Sequence, residues 1–158
     1  MLSKTTLAGT AGAVVTTSRY DEARAGFFNG GKLSSVTNPA ATIRYDYDAN
    51  ARKLRDTYVI DGRTLAVGVA YDVGGRVLYK TYPDGDSAGT AAAPWTYDGA
   101  GRLKAIPGVI TSATYNARGQ TVNIVYGNGV STAFAYSPAR AWMDRVTTSG
   151  SEIGRAHV

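Results

Sequence analysis

The chain has 158 residues and a formal charge of +5, from 17 Lys and Arg against 12 Asp and Glu. It lacks cysteine, which excludes disulfides, thiolate catalysis and cysteine-based metal sites. Apolar content is too high for wholesale disorder, and the 19 glycines and 11 tyrosines require many tight turns between segments that pack aromatics on pleated surfaces.

From the N-terminus, Lys4 is followed by TTLAGTAGAVVTT. This stretch is too short and too rich in threonine and glycine for a signal-peptide core, and nothing approaches a transmembrane span. An export signal is expected outside this chain. Residues 1–14 read as a lead-in strand or tail before a repeat region over 15–150. A first weak repeat copy begins at Phe27 (FFNGGKL).

Ile43, Tyr45 and Tyr47 then alternate with Arg44, Asp46 and Asp48, the period of a strand. The strand runs into Tyr47-Asp48-Ala49-Asn50-Ala51-Arg52, the first strong copy of a turn motif. Two further copies are Tyr71-Asp72-Val73-Gly74-Gly75-Arg76 and Tyr97-Asp98-Gly99-Ala100-Gly101-Arg102. Tyr115-Asn116-Ala117-Arg118-Gly119-Gln120 is a variant, and Tyr136 opens a last weak copy (YSPARAW). The aspartate suits the first position of a type I turn, where its side chain caps backbone N–H groups. A glycine three residues on can take positive φ and close a bulged hairpin. Ala51 stands where Gly75, Gly101 and Gly119 stand in the other copies, so that turn carries about 1 kcal/mol of strain if the same φ is kept.

Other turns fall between these. Asp61-Gly62 and Asn128-Gly129 read as two-residue hairpin loops, and Pro83-Asp84-Gly85 and Pro107-Gly108 are turn formers. The Asp61-Gly62 loop sets Ile60 opposite Arg63, Tyr58 opposite Leu65 and Leu54 opposite Val69. The Asn128-Gly129 loop sets Val125 opposite Thr132 and Asn123 opposite Phe134. On that register Tyr126 and Ile124 lie on one side and Val125 and Phe134 on the other, so neither face is marked as inner. Leu65, Val67, Val69 and Tyr71 alternate with Ala66, Gly68 and Ala70, and no window shows a helical period. The expected fold is all-β, an antiparallel meander of about a dozen short strands that twists and curls as an open sheet. The closing SEIGRAHV breaks the pattern and resembles the translation of a short-read sequencing adapter. Residues 151–158, with the single histidine His157, are therefore expected to be a non-native tail on a fragment.

The copies of Tyr-Asp-x-x-Gly-Arg, with Tyr82-Pro83-Asp84-Gly85 and Tyr126-Gly127-Asn128-Gly129 between them, resemble the YD/Rhs repeat family over about residues 15–150. The resemblance implies a spiralling sheet that is one segment of a large hollow shell. In bacterial members such a shell encloses a C-terminal toxin, which implies a secreted or cell-surface parent whose further repeats and cargo are the partners. The chain lacks the Asp-Pro of the family's self-cleaving core end, so no catalytic role is inherited.

Sharper readings of single residues are weaker. Asp46 and Asp48 would share a strand face as paired acids. Without a histidine or other partner, the favoured reading is that Asp48 caps a turn while Asp46 is solvated or meets an arginine across the sheet. The tyrosines read as cross-strand packing groups with wet hydroxyls, the alternative being a face for cell-surface glycans. Arg52, Arg76 and Arg102 follow the turn aspartates by four residues, the spacing of a local ion pair. Gly74-Gly75 lacks the Lys-Ser/Thr and helix of a phosphate loop. The densest basic cluster is only Arg52, Lys53 and Arg55, which argues against nucleic acid. Neither cofactor nor metal is expected, and the chain reads as structural, not enzymatic.

Overall fold

The computed structural model describes residues 2–6, 9 and 12–150. The expected tail 151–158 lies outside the described residues. These contain strands and turns and no helix, so none is long and apolar enough to cross a membrane. The chain divides into two compact units, Met1–Ser87 and Ala88–Val158.

In the first unit β1 (Leu2–Thr6), β2 (Val14–Tyr20), β3 (Leu33–Thr37), β4 (Ala41–Tyr47), β5 (Lys53–Ile60), β6 (Arg63–Tyr71) and β7 (Val77–Thr81) lie side by side in chain order, each antiparallel to the next. The two-residue β8 (Ser87–Ala88) stands at the unit boundary. The lead-in thus contributes a strand, β1, which pairs with β2. In the second unit β9 (Thr96–Tyr97) pairs with β10 (Leu103–Ala105). There β11 (Ile110–Tyr115), β12 (Thr121–Tyr126), β13 (Ser131–Tyr136) and β14 (Met143–Ser149) form a four-stranded sheet in that order. Consecutive hairpins with no closing pair make an open all-β meander.

Asp61 and Gly62 both have positive φ, 48° and 73°, as a two-residue loop of mirror-image type requires. Ile60 accordingly faces Arg63 and Tyr58 faces Leu65. The second loop differs from expectation. Gly129 N–H donates to the Tyr126 carbonyl at 3.0 Å and Tyr126 N–H to the Val130 carbonyl at 2.8 Å. The turn therefore spans Tyr126–Gly129, with Gly129 at φ 82° as its bulge residue. The register moves by one: Ile124 faces Thr132, Val125 faces Ser131 and Asn123 faces Ala133.

That single step reassigns the faces, because the side-chain period is two. Phe134 joins Ile124 and Thr132, with Val146 opposite Phe134 and Ala113 opposite Ile124. Ser131, Ala133, Val125 and Asn123 take the other side. The first unit is sided in the same manner. Ile43, Tyr58 and Leu65 form one cross-strand row, and Arg44, Thr57 and Ala66 a row on the opposite face.

Each sheet is one layer thick, and one layer buries neither face fully. The buried apolar side chains among the described residues are Ala88, Ile106 and Ala113, all in the second unit. In the first unit the buried side chains are polar: Asn29, Ser34, Ser35 and Asp46.

Candidate functional site

The repeated turn has one geometry. In the Asp72 copy, Gly75 N–H donates to the Asp72 carbonyl at 3.1 Å and Asp72 N–H to the Arg76 carbonyl at 2.9 Å. The Asp98 and Asn116 copies repeat both bonds. Gly75, Gly101 and Gly119 stand at φ 84°, 78° and 81°. Ala51 occupies the same left-handed region at φ 64°, so the Asp48 turn keeps the geometry at the cost of a crowded Cβ. Tyr82–Gly85 has the same two backbone bonds as Tyr126–Gly129, so most turns of both sequence classes share one backbone form. The weak copies depart from this form. Asn29–Lys32 has the same four-residue span but its positive φ one position earlier, at Gly31 (69°), and Ser137–Ala141 is one residue longer, with Ala141 at φ 60°.

Side chains lock each turn. Asp48 Oδ1 accepts from the N–H groups of Asn50 and Arg52 at 2.9 and 2.8 Å, and Asp98 Oδ1 from Ala100 and Arg102, both at 2.9 Å. The other carboxylate oxygen takes the guanidinium four residues on: Arg52 Nε at 2.6 Å, and Arg76 and Arg102 Nε at 2.7 Å from Asp72 and Asp98. In the variant both members are neutral, with Asn116 Nδ2 donating to Gln120 Oε1 at 2.8 Å. The Arg76 N–H, then its guanidinium, hold the Asp72 carboxyl below its ordinary value. For Asp98 the Arg102 guanidinium leads and its N–H follows. At Asp48 desolvation pushes upward, and the N–H and guanidinium of Arg52 more than offset it.

Two of these guanidinium groups also reach the next repeat. Arg52 Nη1 donates to the Asp72 carbonyl at 2.7 Å, and Arg102 Nη1 to the Asn116 carbonyl at 3.5 Å. Each guanidinium also lies over the next tyrosine ring, Arg52 at 4.9 Å from Tyr71 and Arg102 at 4.5 Å from Tyr115. The tyrosine hydroxyls, expected to be wet, instead donate backward. Tyr47 bonds the Leu33 carbonyl at 3.0 Å, Tyr71 that of Lys53 at 3.1 Å, Tyr115 that of Leu103 at 2.7 Å and Tyr136 that of Thr121 at 2.8 Å. The accepting residues are the strand partners of Tyr20, Tyr47, Tyr97 and Tyr115. Each pairing sits at a bulge, which disrupts the local ladder and leaves a carbonyl for the hydroxyl.

Asp46 and Asp48 do not form an acid pair. Asp48 is held by its own turn, and Asp46 is 1% exposed beneath the 21–32 segment. Arg24 Nε reaches Asp46 Oδ1 at 2.5 Å, and Arg55 Nε and Nη2 reach Oδ2 at 2.9 and 2.7 Å. Asn29 Nδ2 donates to Oδ1 at 3.4 Å. Arg24 Nη2 also donates to the Ser34 and Tyr45 carbonyls, while Asn29 Oδ1 accepts from Tyr47 N–H at 3.2 Å. Burial pushes the Asp46 carboxyl up, but the hydrogen bonds from Arg24, Arg55 and Asn29 prevail and hold it below the ordinary range. The arginine across the sheet is Arg55, one of the two alternatives expected for Asp46, and the other, solvation, is replaced by burial. Arg24 precedes the weak repeat copy that holds Asn29, and no sequence signal links either residue to Asp46.

Shallow clefts open between consecutive turns, one lined by Asn116, Arg118, Gln120, Tyr136 and Pro138, another by Phe28, Lys32, Asp48 and Ala51. Neither joins a nucleophile to a free base, since the Asp48 carboxylate is occupied within its own turn. What the arrangement does chemically is fasten repeats to one another.

No family model and no curated protein matches the sequence. Solved structures match the fold. TcdB2-TccC3 without its hypervariable C-terminal region is 17% identical at a TM-score of 0.62, the match covering 86% of this chain and 9% of that one. The Tc holotoxin pore of Photorhabdus luminescens with a mutated TccC3 is 17% identical at 0.62, covering 87% and 9%. A further TcdB2-TccC3 structure is 18% identical at 0.56, covering 86% and 9%. The chain therefore spans about a tenth of the length of these chains. The chain thus shares with these TccC3-containing structures an open fold of consecutive antiparallel β-hairpins.

Proposed function

We propose that the chain is a structural wall segment of an Rhs-type shell, without catalytic activity of its own, whose parent polypeptide encloses and presents a C-terminal toxin or effector. Its partners are then the further repeats and the cargo of that parent, a secreted or cell-surface bacterial protein. The observation that carries this reading is the clasp between repeats. The hydroxyls of Tyr47, Tyr71, Tyr115 and Tyr136 and the guanidinium groups of Arg52 and Arg102 bond a neighbouring repeat's backbone, so these contacts run along the array and not into a central core. Such an array gains stability from neighbour interfaces and extends without limit, which suits a wall. Its fold is that of TccC3-containing Tc toxin chains many times longer.

Limited proteolysis of the parent tests the reading, with the C-terminal segment followed by mass spectrometry. The expected result is cargo that survives far longer inside the parent than when expressed free. Equal digestion rates would remove the enclosing role.

A further inference from the structure

The polar face of the first unit carries a feature that repeat clasping does not use. Ser35 is the direct cross-strand partner of Arg19 on one side and of Arg44 on the other, and Thr57 stands beyond Arg44 in the same row. Cross-strand partners share a face, so the two arginines flank one serine with their backbones about 9–10 Å apart, two strand spacings. Both are exposed, and neither side chain has a hydrogen bond or ion pair among the described residues. Ser35 is 5% exposed, and its hydroxyl has no protein partner there.

The surrounding charge reinforces the pair. Asp46 lies two residues from Arg44 on the same face, but Arg24 and Arg55 already saturate it, and Glu22 is paired with Arg24. Four arginines, Arg19, Arg24, Arg44 and Arg55, thus meet two acids, and the uncompensated charge rests on Arg19 and Arg44. Guanidinium groups present planar pairs of N–H donors suited to tetrahedral oxyanions. A hydroxyl between two such groups supplies a further donor.

We propose that Arg19, Ser35 and Arg44 form a binding site for a tetrahedral oxyanion, sulfate or phosphate, free or as a monoester on a sugar. The site is independent of the shell reading, because it lies on a strand face and not at the turns.

The test is titration of the full chain with inorganic sulfate, inorganic phosphate and N-acetylglucosamine 6-sulfate at constant ionic strength, followed by NMR of the arginine Nε–H signals. Saturable shifts are expected, with affinity lowered about tenfold or more in Arg19→Gln and Arg44→Gln and a smaller loss in Ser35→Ala. Arg63→Gln, at an arginine of the neighbouring hairpin whose side chain has no partner among the described residues, should bind as the parent does. Tighter binding of the sulfated sugar than of inorganic sulfate identifies a glycan ester as the source, and equal binding identifies the free anion. Absence of saturation, or an equal loss in Arg63→Gln, would mean diffuse charge attraction and overturn the site. Matching thermal melts without anion establish that the variants remain folded.

Discussion

The hydroxyl of Tyr71 donates to the carbonyl of Lys53, and Lys53 is the strand partner of Tyr47, the corresponding tyrosine one repeat earlier. The relation recurs from Tyr115 to Leu103, the partner of Tyr97. Tyrosine is therefore needed for its ring and for its hydroxyl together. The ring spans the gap between repeats beneath an arginine, and the hydroxyl takes up a carbonyl that the bulge leaves available.

Removing only that hydroxyl isolates its share. Tyr115→Phe is expected to lower unfolding stability by about 0.5–1.5 kcal/mol, the usual net worth of a hydrogen bond. Tyr58→Phe, whose hydroxyl has no partner among the described residues, should change it by less than about 0.5 kcal/mol. Urea denaturation followed by tyrosine fluorescence measures both. Equal effects would show that the hydroxyl bond contributes nothing.

Ala51 at φ 64° makes the Asp48 turn the strained member of the series. Ala51→Gly relieves about 1–2 kcal/mol of left-handed crowding but adds backbone entropy to the unfolded chain. The net expectation is a gain of about 0.5–1 kcal/mol. Gly75→Ala, the mirror experiment at φ 84°, should lose a similar amount. A destabilising Ala51→Gly would contradict this account of the turn.

Asp46 pins the 21–32 segment to the sheet. Asp46→Ala strands Arg24 and Arg55 and is expected to cost about 2–4 kcal/mol, below the full penalty for a broken buried pair because Arg55 is 42% exposed. Hydrogen exchange should rise first at Phe28 and Tyr47, whose N–H groups bond the Tyr47 carbonyl and Asn29 Oδ1. Unchanged exchange at those two amides would separate Asp46 from the segment.

The charged turns and the neutral one respond differently to acid. Asp46, Asp48, Asp72 and Asp98 are all held below the ordinary carboxyl value of 3.8. A carboxyl lowered on folding adds stability that is complete above its unfolded value and is lost as the pH falls through its folded one. Below about pH 4 the Asp98 turn should therefore loosen while the Asn116–Gln120 turn does not. Amide exchange at Gly101 and Gly119 compared at pH 7 and pH 3 reads the difference. The double substitution Asp98→Asn with Arg102→Gln copies the neutral pair and should abolish the acid response at Gly101.

The turns were legible from the sequence because their chemistry is local. The Asp72 carbonyl, the Gly75 φ and the Arg76 guanidinium lie within five consecutive residues, and no tertiary contact is needed to bring them together. The Asp61-Gly62 loop was legible for the same reason, since its two central residues alone select the mirror-image turn. Asn128-Gly129 shows where local chemistry stops deciding. The dipeptide fits the centre of a two-residue loop and equally the last two positions of a four-residue turn. These alternatives differ by one residue of register.

Only pairing with β11 and β14 on either side settles that register, by gathering Ile124, Phe134 and Val146 on one face. The long-range bonds lie further still from local pattern. Tyr71 and Lys53 are 18 residues apart, and Arg24 and Asp46, which hold no position of the repeated turn, are 22 apart. The sequence by itself determined a series of bulged hairpins. Tertiary structure decided what joins them, because a hydroxyl or guanidinium finds its acceptor only after neighbouring strands have set the distance.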